Sequence, residues 1–342
     1  ADARRSEHAA RDAYLRANAP QSLLCLPLVR QGKFEGAIYM ENRAASGVFT
    51  AARIEVIKLL AAQMSVSIEN AQLYEAQQRL IAAQRRFVPR EFLESLDQPD
   101  IARVDPGEHI AKTMSVLFSD LRGFTPVAER LPARDVIGLL NGYFGAMGPA
   151  ITAAGGFIDS FAGDEIKALF DTGADAAVAG GIAMWRALDA FNERSRALGQ
   201  PELNMGVGVN TGPVVLGTVS AGERMQCSVI GDTVNLASRI EALTKLYKAR
   251  LLIGEGTFRA LAAPDRFTLR QVDRVAVKGK DVAIALHEVI DADPPGRQAA
   301  KLATRERLGQ AMQHYVGRDF ATAQRAFERL CAQQDLTPSQ VV

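Results

Sequence analysis

The stretch GGFIDSFAGDEIKALF, residues 155–170, sets a Gly163-Asp164 turn between two short apolar runs. Glycine and aspartate are the residues a tight hairpin turn uses, and apolar residues flanking it mark half-buried strands. A carboxylate presented at such a tip suits a divalent cation, because hard cations take oxygen ligands. Upstream, LPARDVIGLLNGYFGAMGPAITAAGG (131–156) carries the 3.6-residue periodicity of an amphipathic helix and is closed by Gly155-Gly156. Before it, MSVLFSD (114–120) is a continuous apolar run that ends in Asp120, the signature of a strand buried in the middle of a sheet.

Downstream, residues 173–198 form another helical segment, and LNMGVGVNTGPVVLGTV (203–219) is a glycine-punctuated strand pair. DTVNLASRIEALTKLY (232–247) is helical, RLLIG (250–254) is a strand, and FTLRQVDRVAVKGKDVAIALHEV (267–289) is a final hairpin. Helices and strands alternate, with antiparallel hairpins among them. That order predicts an α+β sandwich with helices on one face of a sheet.

Two carboxylates carry the chemistry. Asp120 ends a buried strand and Asp164 sits at a hairpin tip; side by side they would share divalent ions and leave coordination sites for phosphate. Either one alone reads as a cap or turn residue. After Asp120, LRGFTPVAERL (121–131) turns into a helix whose first N–H groups suit a triphosphate. Asn235 and Arg239 are spaced i, i+4 and share one helix face, where a guanidinium suits a phosphoryl oxygen and an amide a sugar oxygen.

The N-terminal part is different. SLLCLPLVR (22–30) and EGAIYMEN (35–42) read as two strands joined by a turn, and Thr50 reads as the N-cap of the next helix. From about 52 to 86 no proline or glycine interrupts, and Ile57, Leu60, Met64, Ile68, Ala71, Tyr74 and Ile81 recur at helical spacing. A stripe that outruns the strands it would cover predicts a two-stranded coiled coil. FVPREFLESL and DIARVDPGEH form a linker. After DADPPG, the apolar residues Leu308, Met312, Tyr315, Phe320, Ala323, Phe327 and Leu330 predict two helices around Gly317. One such pair, similar to a tetratricopeptide unit, cannot bury its own apolar face and needs a neighbour.

Taken together, FSDLRGFT, GGFIDSFAGDEIKALF, GVGVNTGPVVLG, VIGDTVNLASRIE and VKGK occur in the order and spacing of the class III nucleotidyl cyclase catalytic domain, which residues 110–290 resemble. The resemblance implies a ferredoxin-like core and a head-to-tail homodimer with active sites across the interface. It implies that Asp120, Asp164 and the backbone carbonyl of Leu121 hold two Mg²⁺ or Mn²⁺ ions per site. It assigns Asn235 to the ribose, Arg239 to the α-phosphate, and Phe124, Thr125 and one of Lys278 or Lys280 to the substrate. It implies an adenylate cyclase making 3′,5′-cyclic AMP and pyrophosphate from ATP. In members that use ATP, a lysine and an aspartate or threonine contact the adenine edge; here those positions hold Ser160 and Ser228. A serine hydroxyl both donates and accepts. Guanylate or dual-specificity cyclase, or a catalytically weak signalling module, are therefore the alternatives. Lys167, on the outgoing strand, is the one candidate to replace that lost lysine charge, but strand periodicity leads to the expectation that it faces the surface. AGDEIKALF is also similar to the hairpin of diguanylate cyclases, but those lack a helix like VNLASR.

LCLPLVRQGKFEGAIYMEN (24–42) and a helix ending in SIENAQLYE (67–75) resemble the second half of a GAF sensory domain. The expected organisation is a partial GAF-like segment at 1–75, a helical linker at 76–109, a catalytic domain at 110–290 and a helical segment at 296–342. A chain that opens at Ala1 in this way suggests a piece of a longer protein.

The bulk numbers agree with this reading. The net charge of +1 over 342 residues argues against a broad claim on nucleic acid or anionic membrane. Three scattered cysteines, Cys25, Cys227 and Cys331, have no metal-ligand spacing and fit a reduced, cytoplasmic setting. No uninterrupted apolar run has the length of a membrane span.

Overall fold

The structure, a computed structural model, describes residues 12–30, 33–84, 88–98, 103–222, 224–276 and 283–332. It divides into two compact units, Ala1–Phe87 and Val88–Val342.

In the first unit, helix α1 (Ala13–Asn18) precedes strands β1 (Ser22–Arg30) and β2 (Lys33–Asn42). Asp12 caps α1 by accepting from the Leu15 N–H. The strands pair antiparallel, with an irregularity at Leu28/Val29. Helix α2 (Ala51–Gln84) comes next, and Thr50 accepts from the Arg53 N–H at its start, as expected of the cap. Ala61 and Ser65 are buried, whereas Leu60, Met64, Ile68 and Tyr74 stay exposed. The apolar stripe legible in the sequence is thus left uncovered within the unit.

The second unit begins with α3 (Arg90–Ser95), then β3 (His109–Leu121), α4 (Phe124–Arg130), α5 (Ala133–Ala153), β4 (Phe157–Ala162), β5 (Glu165–Phe170) and α6 (Ala174–Ala197). It continues through β6 (Met205–Ala221), β7 (Arg224–Ile230), α7 (Asp232–Leu246), β8 (Leu251–Gly254), α8 (Glu255–Ala260), β9 (Leu269–Val275), β10 (Ile284–Val289), α9 (Pro295–Val316) and α10 (Phe320–Ala332). The sheet runs β4-β5-β3-β6-β8-β10-β9, with β7 paired to β6. Its β4-β5-β3-β6 portion has the strand order of a ferredoxin-like βαββαβ unit. The β6–β8 pairing is parallel and the rest are antiparallel.

Helices cover both faces of this sheet, not one. Leu117, Leu121, Met205, Val207 and Val209 pack with α5 and α6, through Tyr143, Met147, Ile151 and Leu188. On the opposite face Met114, Val116, Phe118, Phe157 and Leu169 meet Val229 of β7 and Val234 and Ala237 of α7. The one-face expectation failed because α7 is amphipathic like any covering helix; only the glycines of β6 reveal where it lies. A Cβ at Gly208 would sit 2.2 Å from the Glu241 nitrogen, one at Gly206 2.1 Å from Thr244 Oγ1, and one at Gly212 2.7 Å from Thr233 Oγ1. These alternate glycines form a track that lets α7 lie directly on the strand. Gly208→Ala should therefore push against helix backbone and cost about 1–3 kcal/mol. A lowered midpoint in urea unfolding checks this; an unchanged midpoint would show that α7 is loosely seated.

The segment before β3 belongs to this unit: Phe92 of α3 is fully buried in the second-face core. So does the C-terminal helical pair, which packs on itself through Leu308, Ala311, Met312 and Leu330. It joins the sheet edge through charge. Glu288 of β10 accepts from Arg270 at 2.6 Å and from Lys301 at 2.5 Å, and Lys301 also reaches Asp293 at 2.6 Å. The neighbour the sequence called for is the β9–β10 edge. Among the described residues, α5 is long and apolar enough to cross a membrane by composition. Its Tyr143, Met147 and Ile151 are fully buried in the sheet core.

Candidate active site

Asp120 stands near the end of β3, half-buried, on the sheet face that carries α7. Asp164 stands on the β4–β5 turn, where Gly163 adopts φ 67° to close the hairpin. The fold brings the two carboxyl groups close enough for the charge of one to act on the other. Burial first, and then the charge of Asp164, raise the Asp120 carboxyl above its usual range, opposed by the Leu121 N–H. Two carboxylates held this close need a proton or a cation between them. That arrangement fits a divalent metal site.

Two more acids surround the pair, and sequence reasoning missed both. Glu165 is raised by burial and by Asp120, and Glu241 of α7 is pushed up to about 7 by burial and Asp120, partly offset by Arg122. Glu241 lies two residues past Arg239 and directly over Gly208, so the glycine track was the signal that would have found it. Among the described residues, no group of three or more His, Cys, Asp or Glu is arranged to hold a metal by itself. Arg122 ties the region together: its Nη2 donates to the Thr244 and Ala249 carbonyls at 3.1 and 2.5 Å. The end of β3 and the end of α7 are thereby pinned.

Phe124 is half-buried and Thr125 exposed at the start of α4, whose first residues no side chain caps. Asn235 is exposed on the first half of α7, and Arg239 is half-buried one turn later. Lys278 and Lys280 lie outside the described residues.

The hairpin of β4 and β5 departs from expectation. Its register skips at Asp159, between Ile158 and Ser160, and Ser160 pairs directly with Lys167. This bulge turns Asp159 and Ser160 toward the face that carries Phe118 and Leu169. Lys167 faces the same way, since its partner across β3 is Phe118. It is not a surface lysine: its Nζ lies 2.7 Å from Asp159 Oδ2, with side chains 19% and 4% exposed. Ser160 Oγ donates to the same oxygen at 3.1 Å. Cys227 of β7 is close enough that burial, reinforced by the charge of Asp159, pushes its thiol up to about 11. Ser228 is next along β7, half-buried, opposite Gly217.

Comparisons with known proteins agree with this geometry. Residues 1–68 match the GAF domain model. The chain is 45% identical over 210 residues to an adenylate cyclase of Anabaena cylindrica, covering 60% of this chain and 42% of that protein. It is 40% identical over 223 residues to a terminal-differentiation-specific adenylate cyclase of Dictyostelium discoideum, covering 64% of this chain and 10% of that protein. The chain therefore spans less than half the length of either relative. A bacterial light-regulated adenylyl cyclase structure superposes with a TM-score of 0.58 at 25% identity, over 68% of this chain and 67% of that one. Residues 108–288, more than half of the chain, match the adenylate and guanylate cyclase catalytic domain model, and the chain belongs to the class III cyclase family.

Proposed function

We propose that this chain is the catalytic part of a homodimeric adenylate cyclase, converting ATP to 3′,5′-cyclic AMP and pyrophosphate. The observation that carries the reading is the Asp120–Asp164 pair, two carboxyl groups close enough that the charge of Asp164 helps to raise the Asp120 carboxyl. Asp120, Asp164 and the Leu121 carbonyl would hold two Mg²⁺ or Mn²⁺ ions. Bound there, a divalent cation neutralises triphosphate charge and acidifies the attacking hydroxyl.

The protein's own groups do the positioning. Asn235 orients the ribose so that its 3′-oxygen stands in line with the α-phosphorus. Arg239 stabilises the charge that develops on the transferred phosphoryl. Phe124 and Thr125 follow closely after Asp120 in sequence and would border the triphosphate, with Lys278 or Lys280 at its far end. In a head-to-tail dimer the carboxylates of one protomer face Asn235 and Arg239 of its partner.

Incubating the purified protein with Mg²⁺ or Mn²⁺ and either ATP or GTP, and identifying the cyclic product, tests the reading. Cyclic GMP as the main product would favour the guanylate alternative, which Ser160 and Ser228 keep open. The shared site has its own test. Asp164→Ala and Arg239→Ala variants should each be inactive, yet regain up to about a quarter of the parental rate when mixed and re-equilibrated, because half of the dimers then hold one intact site. Mixing without recovery would place all four groups in one protomer.

The GAF-like unit and the uncovered stripe of α2 support a regulatory role, in which paired α2 helices set the rotation between catalytic domains. Crosslinks along α2 in different registers should change the rate. Equal rates in all registers would exclude this coupling.

A further inference from the structure

A cleft of about 780 Å³ lies where α6, the turn into β8 and the start of α9 meet the end of β3. That volume suits a small organic ligand. Five basic and three acidic residues line it, an excess of two positive charges. Two of the acids are already engaged. Asp189 accepts from both terminal nitrogens of Arg250, at 2.8 and 3.0 Å, and Glu202 accepts from Arg196 through two bonds of 2.9 Å. The excess therefore belongs to Arg122, Lys248 and Arg297, with Glu193 as the one remaining acid of the lining. Arg250 forms a fixed wall, its guanidinium 4.1 Å from the centre of the Trp185 ring.

Arg122 stands at the centre of this charge. Its Nη2 donates to the Thr244 and Ala249 carbonyls, which do not neutralise it, and its Nε is buried without a hydrogen-bond partner. Burial disfavours the Arg122 cation, Glu241 supports it, and the charges of Arg297 and Arg250 oppose it. Three guanidinium groups are thus close enough to repel one another. Arg297 approaches Asp293 at 3.8 Å, but that carboxylate is held more closely by Lys301, at 2.6 Å. Lys248 adopts φ 49°, a left-handed position that glycine usually fills at a helix end. Converging like charges cost stability, and an oxyanion set among them would remove that cost.

We propose that this cleft is a second, non-catalytic site that binds a small phosphate-bearing ligand between Arg122, Lys248 and Arg297. It uses none of Asp120, Asp164, Asn235 or Arg239 and so goes beyond the cyclase reading. A phosphate fits better than a carboxylate. Its two charges match the excess, its oxygens can meet all three cations at once, and guanidinium forks match its geometry. Arg122 stands two residues past Asp120 and holds the end of α7, so an occupied cleft bears on both elements of the catalytic site.

The test compares thermal unfolding of the full chain, with EDTA present, in inorganic phosphate and in sodium chloride of equal ionic strength. Phosphate should raise the melting temperature of the parent saturably, by roughly 5–10 °C at a 100-fold excess over Kd. Arg297→Gln should weaken phosphate roughly 10- to 100-fold, the scale of one charged hydrogen bond. Glu193→Gln, which removes the remaining acid, should tighten it about two- to fivefold. Arg239→Ala should leave the shift intact. A parent that responds to phosphate no more than to chloride overturns the assignment. So does a shift that persists at full strength in Arg297→Gln or disappears in Arg239→Ala, since the anion then binds elsewhere. If Arg297→Gln fails to fold, Glu193→Gln decides: unchanged affinity there overturns the site. No readout needs turnover, so failure here and failure of the cyclase reading are separate results.

Discussion

Asp164→Ala should abolish cyclic nucleotide formation while leaving the fold at least as stable as the parent. The two effects have one cause. The charge of Asp164, next to burial, raises the Asp120 carboxyl. Removing one carboxylate relieves the repulsion but removes half of the proposed cation site. A rate loss of about 10³-fold or more is expected, equivalent to about 4 kcal/mol of transition-state stabilisation. The sign of the stability effect comes from Asp120. Its carboxyl is raised in the folded state, so the folded protein binds that proton more tightly than the unfolded chain does. Its contribution is full at low pH and is lost as pH rises through the folded value. The metal-free parent should gain stability on mild acidification, or when Mn²⁺ replaces the proton. Both gains should shrink in Asp164→Ala. Thermal unfolding across pH, with and without Mn²⁺, reads this directly. An active variant, or an undiminished response to Mn²⁺, would mean the ions bind elsewhere.

The sequence disclosed elements whose signals are local and hid those that depend on register. Asp120 and Asp164 were legible because each closes an apolar strand run, and the succession of strands and helices around them followed from periodicity. The orientation of Lys167 was not. Period-two reasoning sent it to the surface, yet its pairing with Phe118 on β3 puts it on the inner face, and the skip at Asp159 brings an acid to meet it there. A bulge adds one residue without changing composition, so no pattern of apolar residues announces it. The seat of α7 was half-legible. Gly206, Gly208 and Gly212 were visible as punctuation, but their meaning as a track needed the helix lying on them. Glu241 stayed hidden for the same reason.

The buried charges at the C-terminal helices were least legible, since Arg270, Glu288, Asp293 and Lys301 come from separate elements. They carry the largest stability prediction. Lys301→Met should destabilise the second unit by about 3–5 kcal/mol, a fall of roughly 6–20 °C in melting temperature. Side-chain exposures of 10% for Lys301, 1% for Glu288 and 0% for Asp293 leave water no room to replace the lost cation. Arg270 still pairs with Glu288, so Asp293 bears most of the cost. Burial already raises the Asp293 carboxyl, and Lys301 is the main group opposing that rise. Without the lysine it should rise further, so the variant's deficit should shrink as pH falls and Asp293 takes a proton. Asp293→Asn in the same variant should recover part of the loss at neutral pH. A deficit that does not change with pH would mean that Lys301 acts through packing of its stem rather than through its charge. A full-strength pH dependence would establish that α9 is bound to the cyclase sheet by ionic contacts, so that truncation before Pro295 should leave Glu288 with Arg270 alone and lower the melting temperature by a similar amount.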